Sequence, residues 1–186
     1  MKYNILALDD EPHMLMLLER IIQEKTSYTI LTTNNALEVP EILGQHSFDV
    51  IIADLKMPGM DGMDILRLVK QQKRSEEVII ITAFGSLETA MEALSLGVFD
   101  YVTKPFKKEH LIFAVDRAVQ WQAMKRTVNE LSPIFDLQPY EQAVRVFEKT
   151  YLHRLSERCK GNITMMADCS GLPEDAIARV LEQRNS

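Results

Sequence analysis

Four β-branched residues in succession, Val78-Ile79-Ile80-Ile81, constrain this chain more than any other feature. A run that is apolar at every position has no face to give to water. It reads as a central strand of a parallel sheet covered by helices on both sides. Short apolar or β-rich runs also stand at residues 3–8, 28–33, 50–53 and 98–103. Helical spacing separates them. Met14, Leu15, Leu17, Leu18, Ile21 and Ile22 form a stripe over 12–25, with Pro12 suited to the first turn. A short helix is expected over 36–44, with Pro40 early and Gly44 as its stop, and another over 63–72. Ser86 as N-cap and Gly97 past the end bracket a helix over 86–96. Leu111, Ile112, Val115, Ala118 and Val119 mark a fifth helix over 107–121. Five β-α units predict an α/β fold, a doubly wound five-stranded parallel sheet with helices on both faces.

The alternation stops near residue 124. Residues 125–138 read as a linker or as the end of an elongated fifth helix. From Tyr140 onward the pattern is purely helical. Val144, Phe147, Tyr151, Leu152 and Leu155 are spaced as one apolar face, and Gly161 ends that helix. A second short helix follows over 163–169 with Asn162 as N-cap. After the turn Ser170-Gly171-Leu172-Pro173, a third over 173–183 carries Ile177, Val180 and Leu181. Helix, Gly-containing turn and helix is a helix-turn-helix pattern. The expected organisation is therefore an α/β domain over 1–124 and a small all-α domain over 139–186.

The 186 residues are 46% hydrophobic and 26% charged, values of a globular chain that exclude wholesale disorder and a collagen-like repeat. No apolar run approaches the roughly 18 residues of a membrane span, and the N-terminus has no signal-peptide pattern, so a cytoplasmic protein with no membrane partner is expected. Cys159 and Cys169 are too few for a disulfide framework and are expected to be reduced, small core residues. The net charge of −6 lies in the first two thirds, because residues 138–186 hold seven Lys/Arg against seven Asp/Glu. A mildly acidic first part suits a cation site; a neutral tail argues neither for nor against nucleic acid.

In open parallel sheets ligands bind at the carboxyl ends of the strands, near the point where strand order reverses. The residues just past those ends are Asp9-Asp10, Asp54, Thr82 and Lys104. Three carboxylates so close repel one another and call for a cation; a few hard oxygen ligands suit Mg²⁺. Asp54 stands alone at its strand end, where a carboxylate oxygen can attack phosphorus. A metal ion and the Lys104 amine would neutralise the transferring phosphoryl oxygens, with Thr82 hydrogen-bonding one of them.

With these residues in view, segment 1–124 resembles the receiver domain of two-component response regulators, a flavodoxin-like fold. The resemblance rests on Leu8-Asp9-Asp10-Glu11, on Asp54-Leu-Lys-Met-Pro-Gly-Met-Asp-Gly62, on Thr82-Ala83 and on Tyr101-Val-Thr-Lys104-Pro105-Phe106. Ala83-Phe-Gly85 and the run from Gly97 to Phe106 are similar to receivers of the nitrogen-regulator group. The resemblance implies that Asp54 accepts a phosphoryl group from a histidine kinase or phosphotransfer protein. It also implies that Asp9, Asp10, Asp54 and the main-chain carbonyl of Lys56 hold Mg²⁺. Thr82 and Tyr101 would be the switch pair, and Lys104–Pro105 a cis bond. On phosphorylation a homodimer is expected through the fourth and fifth helices and fifth strand, on or near which Met91, Leu94, Val98, Lys104, Phe106 and Lys107 lie. Lys56 and Phe84 would flank the path of a hydrolytic water; neither suits proton acceptance, so slow self-dephosphorylation is expected, and no other enzyme activity.

The tail over 139–186 resembles the Fis-type helix-turn-helix of those regulators, through Phe147-Glu-Lys-Thr-Tyr-Leu-His-Arg-Leu, Cys159-Lys-Gly-Asn-Ile-Thr and the spacing to Gly171-Leu172. The central ATPase domain of that group has no counterpart here, and no G-x-x-x-x-G-K-[ST] loop occurs. The resemblance implies transcription control by DNA binding, with Arg179 and Arg184 as the basic groups of the reading helix. That helix opens, however, with Pro173-Glu174-Asp175-Ala176, whose carboxylates would face phosphates. The rival expectation is an adaptor whose tail binds protein or dimerises.

Overall fold

The structure is a computed structural model and describes residues 3–83, 85–135 and 139–182. Two compact units divide the chain, Met1–Ala123 and Met124–Ser186.

The first unit is built on five parallel strands, β1 (Asn4–Leu8), β2 (Thr29–Thr33), β3 (Val50–Asp54), β4 (Glu77–Thr82) and β5 (Asp100–Thr103), in the order β2-β1-β3-β4-β5. The helices of this unit are α1 (Pro12–Lys25), α2 (Val39–Gln45), α3 (Gly62–Gln71), α4 (Leu87–Ser95) and the first part of α5 (Lys108–Phe135). Because strand side chains alternate, β1, β3 and β4 feed two cores. Leu6, Leu8, Ile51, Ala53, Val78 and Ile80 pack with Val39, Leu43, Ile65, Leu66, Val69 and Ala93. Ile5, Ala7, Val50, Ile52, Ile79 and Ile81 pack with Leu15, Leu18, Ile22, Leu111, Val115 and Ala118. Each wholly buried Ile or Leu contributes about 2 kcal/mol of apolar transfer, so the three central strands anchor the unit.

Several boundaries differ from expectation for local reasons. Asp54 and Thr82 are the last residues of β3 and β4 rather than the first beyond them. Gly44 does not stop α2: a 3-10 turn at Ala36–Glu38 opens the segment, and the helix runs through Gly44 to Gln45. Leu17 does not join the buried stripe of α1 but is 44% exposed, beside the exposed Met16. By contrast, α5 runs through Lys125 and Arg126 to Phe135, and an elongated fifth helix is one of the two expectations for residues 125–138.

In the second unit, α6 (Tyr140–Arg158), α7 (Ile163–Ser170) and α8 (Glu174–Glu182) enclose a small core of Leu152, Leu155, Cys159, Met166 and Ile177. Asn162 caps α7 by accepting the Met165 N–H at 3.0 Å. The apolar face of α6 is narrower than its composition suggests. Leu152, Leu155 and Cys159 are buried, whereas Phe147 and Tyr151, one turn apart, stack on each other at 6.0 Å in solvent. Cys169 is exposed, so only one of the two cysteines is a core residue.

Candidate functional site

Register places the site. Leu8 pairs with Ala53 across β1 and β3, so the next residues, Asp9 and Asp54, stand level at the carboxyl edge. Strand order reverses between these two strands, which leaves a crevice above them with no crossing connection. Thr82, at the end of β4, pairs with Thr103 of β5, and the next residue is Lys104. The Lys104 N–H donates to the Thr82 carbonyl at 2.7 Å, and the Lys104–Pro105 bond is cis.

The lysine ammonium lies between the two carboxylates. Lys104 Nζ donates to Asp54 Oδ1 at 2.6 Å and to Asp9 Oδ2 at 2.7 Å. The remaining oxygens are held by backbone: Asp54 Oδ2 accepts the Lys56 N–H at 2.7 Å and Asp9 Oδ1 accepts the Glu11 N–H at 3.0 Å. Burial leaves Asp9 and Asp54 2% and 7% exposed. Removal from water raises the Asp9 pKa above its ordinary value, against the lowering pull of Lys104 and the Glu11 N–H. Burial also works against the Lys104 ammonium, but the hydrogen bonds and charges of Asp54 and Asp9 outweigh it and hold its pKa above the usual lysine value.

The other expected site residues are placed less uniformly. Thr82 is fully buried at the edge of β4. Asp10 is exposed, and among the described residues no three His, Cys, Asp or Glu side chains cluster as a metal site. Tyr101 meets α4: its hydroxyl lies 3.3 Å from Thr89 Oγ1, and its ring closes on Gly85, where a Cβ would come within 3.3 Å of it. Thr89 is itself half of a capping box, giving its N–H to Ser86 Oγ at 3.2 Å and accepting the Ser86 N–H at 3.1 Å. Phe84 and Arg184 lie outside the described residues. Arg179 is exposed on α8, where it donates to Asp175 Oδ2 at 2.7 Å.

Two residues escaped the sequence reading. Thr89 is one; the Ser-x-x-Thr spacing announces the cap, but nothing local announces Tyr101. Gly62 is the other. A Cβ there would stand 2.5 Å from the Asp54 carbonyl oxygen, so α3 starts against the backbone of the nucleophile candidate only because residue 62 lacks one. Asp61 caps this helix with Asp64 as its reciprocal partner, at 2.8 and 3.2 Å.

Residues 5–116 match the response regulator receiver domain. The chain belongs to that family. Over 134 residues the receiver is 36% identical to the DNA-binding transcriptional regulator NtrC of Escherichia coli, covering 70% of this chain and 28% of NtrC. The regulatory protein AtoC of the same organism is 35% identical over 128 residues, with 69% and 28% covered. The chain thus spans well under half the length of these relatives. Among solved structures, a response regulator receiver domain from Clostridium thermocellum is 33% identical with a TM-score of 0.61, covering 66% of this chain and 98% of its own. NtrX from Brucella abortus, 26% identical with a TM-score of 0.65, covers 85% of this chain and 34% of its own.

Proposed function

We propose that this chain is a response regulator that takes a phosphoryl group on Asp54 and thereby controls its helical tail. The observation that carries the reading is the buried Asp54 carboxylate with one oxygen on the Lys104 ammonium and the other on the Lys56 N–H, at the reversal point of the sheet. An Asp54 oxygen attacks the phosphorus of a phosphohistidine on a kinase or phosphotransfer protein. The P–N bond breaks, an acyl phosphate forms, and the departing imidazole takes a proton. Lys104, whose raised pKa keeps it charged, exchanges its Asp54 contact for a phosphoryl oxygen, and the Thr82 hydroxyl takes another.

The donor set fits Mg²⁺: hard carboxylates on Asp9 and Asp54, joined by exposed Asp10 and the Lys56 carbonyl, suit an ion that keeps several waters. When bound, the ion supplies charge neutralisation at the phosphoryl oxygens. The test is acid-labile phosphate incorporation from acetyl phosphate. Asp54→Ala is expected to abolish it, and full labelling of that variant would sink the assignment.

The output follows from the relatives: NtrC is a DNA-binding transcriptional regulator, and transcription control through a Fis-type helix-turn-helix is the reading for this tail. Phosphorylation would promote a homodimer through α4, β5 and α5. Met91, Leu94 and Phe113 are exposed there, whereas Val98, expected on that face, is buried in the core. An unchanged sedimentation mass on beryllofluoride addition would count against the dimer. One observation favours the adaptor reading instead. The first turn of α8 carries Glu174 and Asp175, and Asp175 neutralises Arg179. A gel shift with genomic fragments, with and without phosphorylation, separates DNA output from protein output.

A further inference from the structure

The helix α4 is loosely packed for an element beside the site. Among its described residues only Ala93 is buried, while Leu87, Met91 and Leu94 are exposed. Its neighbour α3 buries Gly62, Met63, Ile65, Leu66 and Val69. A helix with one small side chain in the core has little apolar packing to fix its position, so its polar contacts decide where it rests. One such contact is the Thr89 hydroxyl, 3.3 Å from that of Tyr101. A second lies one turn further along, where Glu92 Oε1 accepts Arg67 Nη2 of α3 at 2.5 Å.

The same guanidinium reaches back toward Asp54. Arg67 Nη1 donates to Asp64 Oδ1 at 3.0 Å, and Asp64 is the reciprocal partner of Asp61 in the capping box that opens α3. Gly62, between those two carboxylates in sequence, gives its N–H to the Leu55 carbonyl at 3.2 Å and stands against the Asp54 carbonyl. A chain of polar contacts thus runs from the strand end that carries Asp54, through Asp61, Asp64 and Arg67, to Glu92.

We propose that Arg67 is a positioning residue that tethers α4 in the resting arrangement, so that release of Glu92 and binding of a phosphoryl group at Asp54 favour each other. The planar guanidinium suits the role: one nitrogen holds Asp64 on the well-anchored α3 while another holds Glu92 on the loose α4. The side chains of Arg67 and Glu92 are 39% and 50% exposed, and a pair that wet is weak. Against the scant packing of α4 a weak tether is enough to set a position, and it is also able to let go. Both α4 contacts accompany the arrangement in which Lys104 grips the Asp54 carboxylate itself. Whatever they add to that arrangement is subtracted from the one in which Lys104 turns to a phosphoryl oxygen. This linkage rests on the response-regulator reading; the tether itself does not.

The test compares the full unaltered chain with Arg67→Gln, Glu92→Gln and the double variant, by hydrogen exchange and by calorimetric titration with beryllofluoride in Mg²⁺ buffer. Without beryllofluoride, amide exchange in α4 should quicken about two- to threefold in each single variant, with the central strands unaffected. The double variant should be no looser than either single one, because both remove one contact. Beryllofluoride affinity should rise about two- to threefold, whereas mere damage to the fold would lower it. Both side chains are on the surface, so all variants should keep the cooperative unfolding of the unaltered chain. Unchanged exchange in α4, additive effects in the double variant, or an affinity that stays level or falls overturns the proposal. An unaltered chain that binds no beryllofluoride sinks the response-regulator reading and the linkage with it, and the exchange comparison alone then decides the tether.

Discussion

The two units hold their ion pairs in opposite settings. In the receiver, Lys104 and its two carboxylates sit at the ends of central strands, with side-chain exposures of 13%, 2% and 9%. In the tail, Arg179 and Asp175 sit one turn apart on a short helix, with exposures of 72% and 71%. A pair in water is worth a few tenths of a kcal/mol and re-forms in many geometries. Charges withdrawn from water must be held in one arrangement, and that fixed arrangement is what reaction chemistry requires. The comparison teaches where function is built into the fold and where it is left to a partner. The receiver holds its charges within its frame; the tail holds this pair at its surface.

The largest effect expected within this contrast comes from a residue without a side chain. Gly62→Ala forces a methyl group against the Asp54 carbonyl and should destabilise the receiver by about 3 kcal/mol. Thermal unfolding and the rate of phosphate uptake would fall together. A stable, fully active variant would show that the strand end is more compliant than this geometry allows.

Next in size is a change confined to the tail. Glu174→Gln with Asp175→Asn releases Arg179 and removes two negative charges from the first turn of α8. Nonspecific affinity for duplex DNA should rise about tenfold at low salt, and the slope of log K against log salt should steepen by about one. Phosphate uptake should not change. If affinity stays flat, the tail is not held away from DNA by its own carboxylates.

A smaller effect concerns the acyl phosphate. The Lys56 N–H holds one Asp54 oxygen, so its exposed side chain can be exchanged without moving the proposed nucleophile. Lys56→Asn puts a group able to orient water near the phosphorus and should shorten the phosphoryl lifetime severalfold, read by chasing the purified phosphoprotein in Mg²⁺ buffer. An unchanged lifetime would place control of hydrolysis elsewhere.

The smallest effect appears only in alkali. Tyr28 donates its hydroxyl to Asp116 Oδ1 at 2.8 Å, and burial followed by that bond and the Asp116 charge push the phenol up to about 12 from 10.0. A folded value above the unfolded one means the contribution to stability is complete below about pH 10 and lost as pH rises through about 12. In Tyr28→Phe the receiver should lose that part of its alkaline unfolding curve, while the tyrosine titration loses its highest step. An unshifted ultraviolet titration of Tyr28 would refute the assignment.

The difference between the units also explains what could be read before the fold was known. Buried parallel strands have no solvent face, so Val78–Ile81 and its companions stand out as unbroken apolar runs, and each chemical residue sits at the end of one. Asp9, Asp54 and Lys104 were legible for that reason. The polar ends of strands were not: the carboxylate of Asp54 and the hydroxyl of Thr82 mimic loop residues while their backbones still pair. Contacts set by register between distant elements were invisible too. Tyr101 meeting Thr89 needs β5 and the start of α4 at one height, and no spacing along the chain encodes that. In the tail, a surface helix advertises every apolar residue alike, and only the three-helix packing decides that Leu152 goes in and Phe147 stays out.

Gly62 has a further consequence for anyone scanning this chain by substitution. A position with no side chain to bind or react would score among the most damaged, because every alternative amino acid at that point leans on the backbone of Asp54. A map of intolerance drawn over this receiver would therefore be a map of what holds the reactive atoms still as much as of the atoms that react.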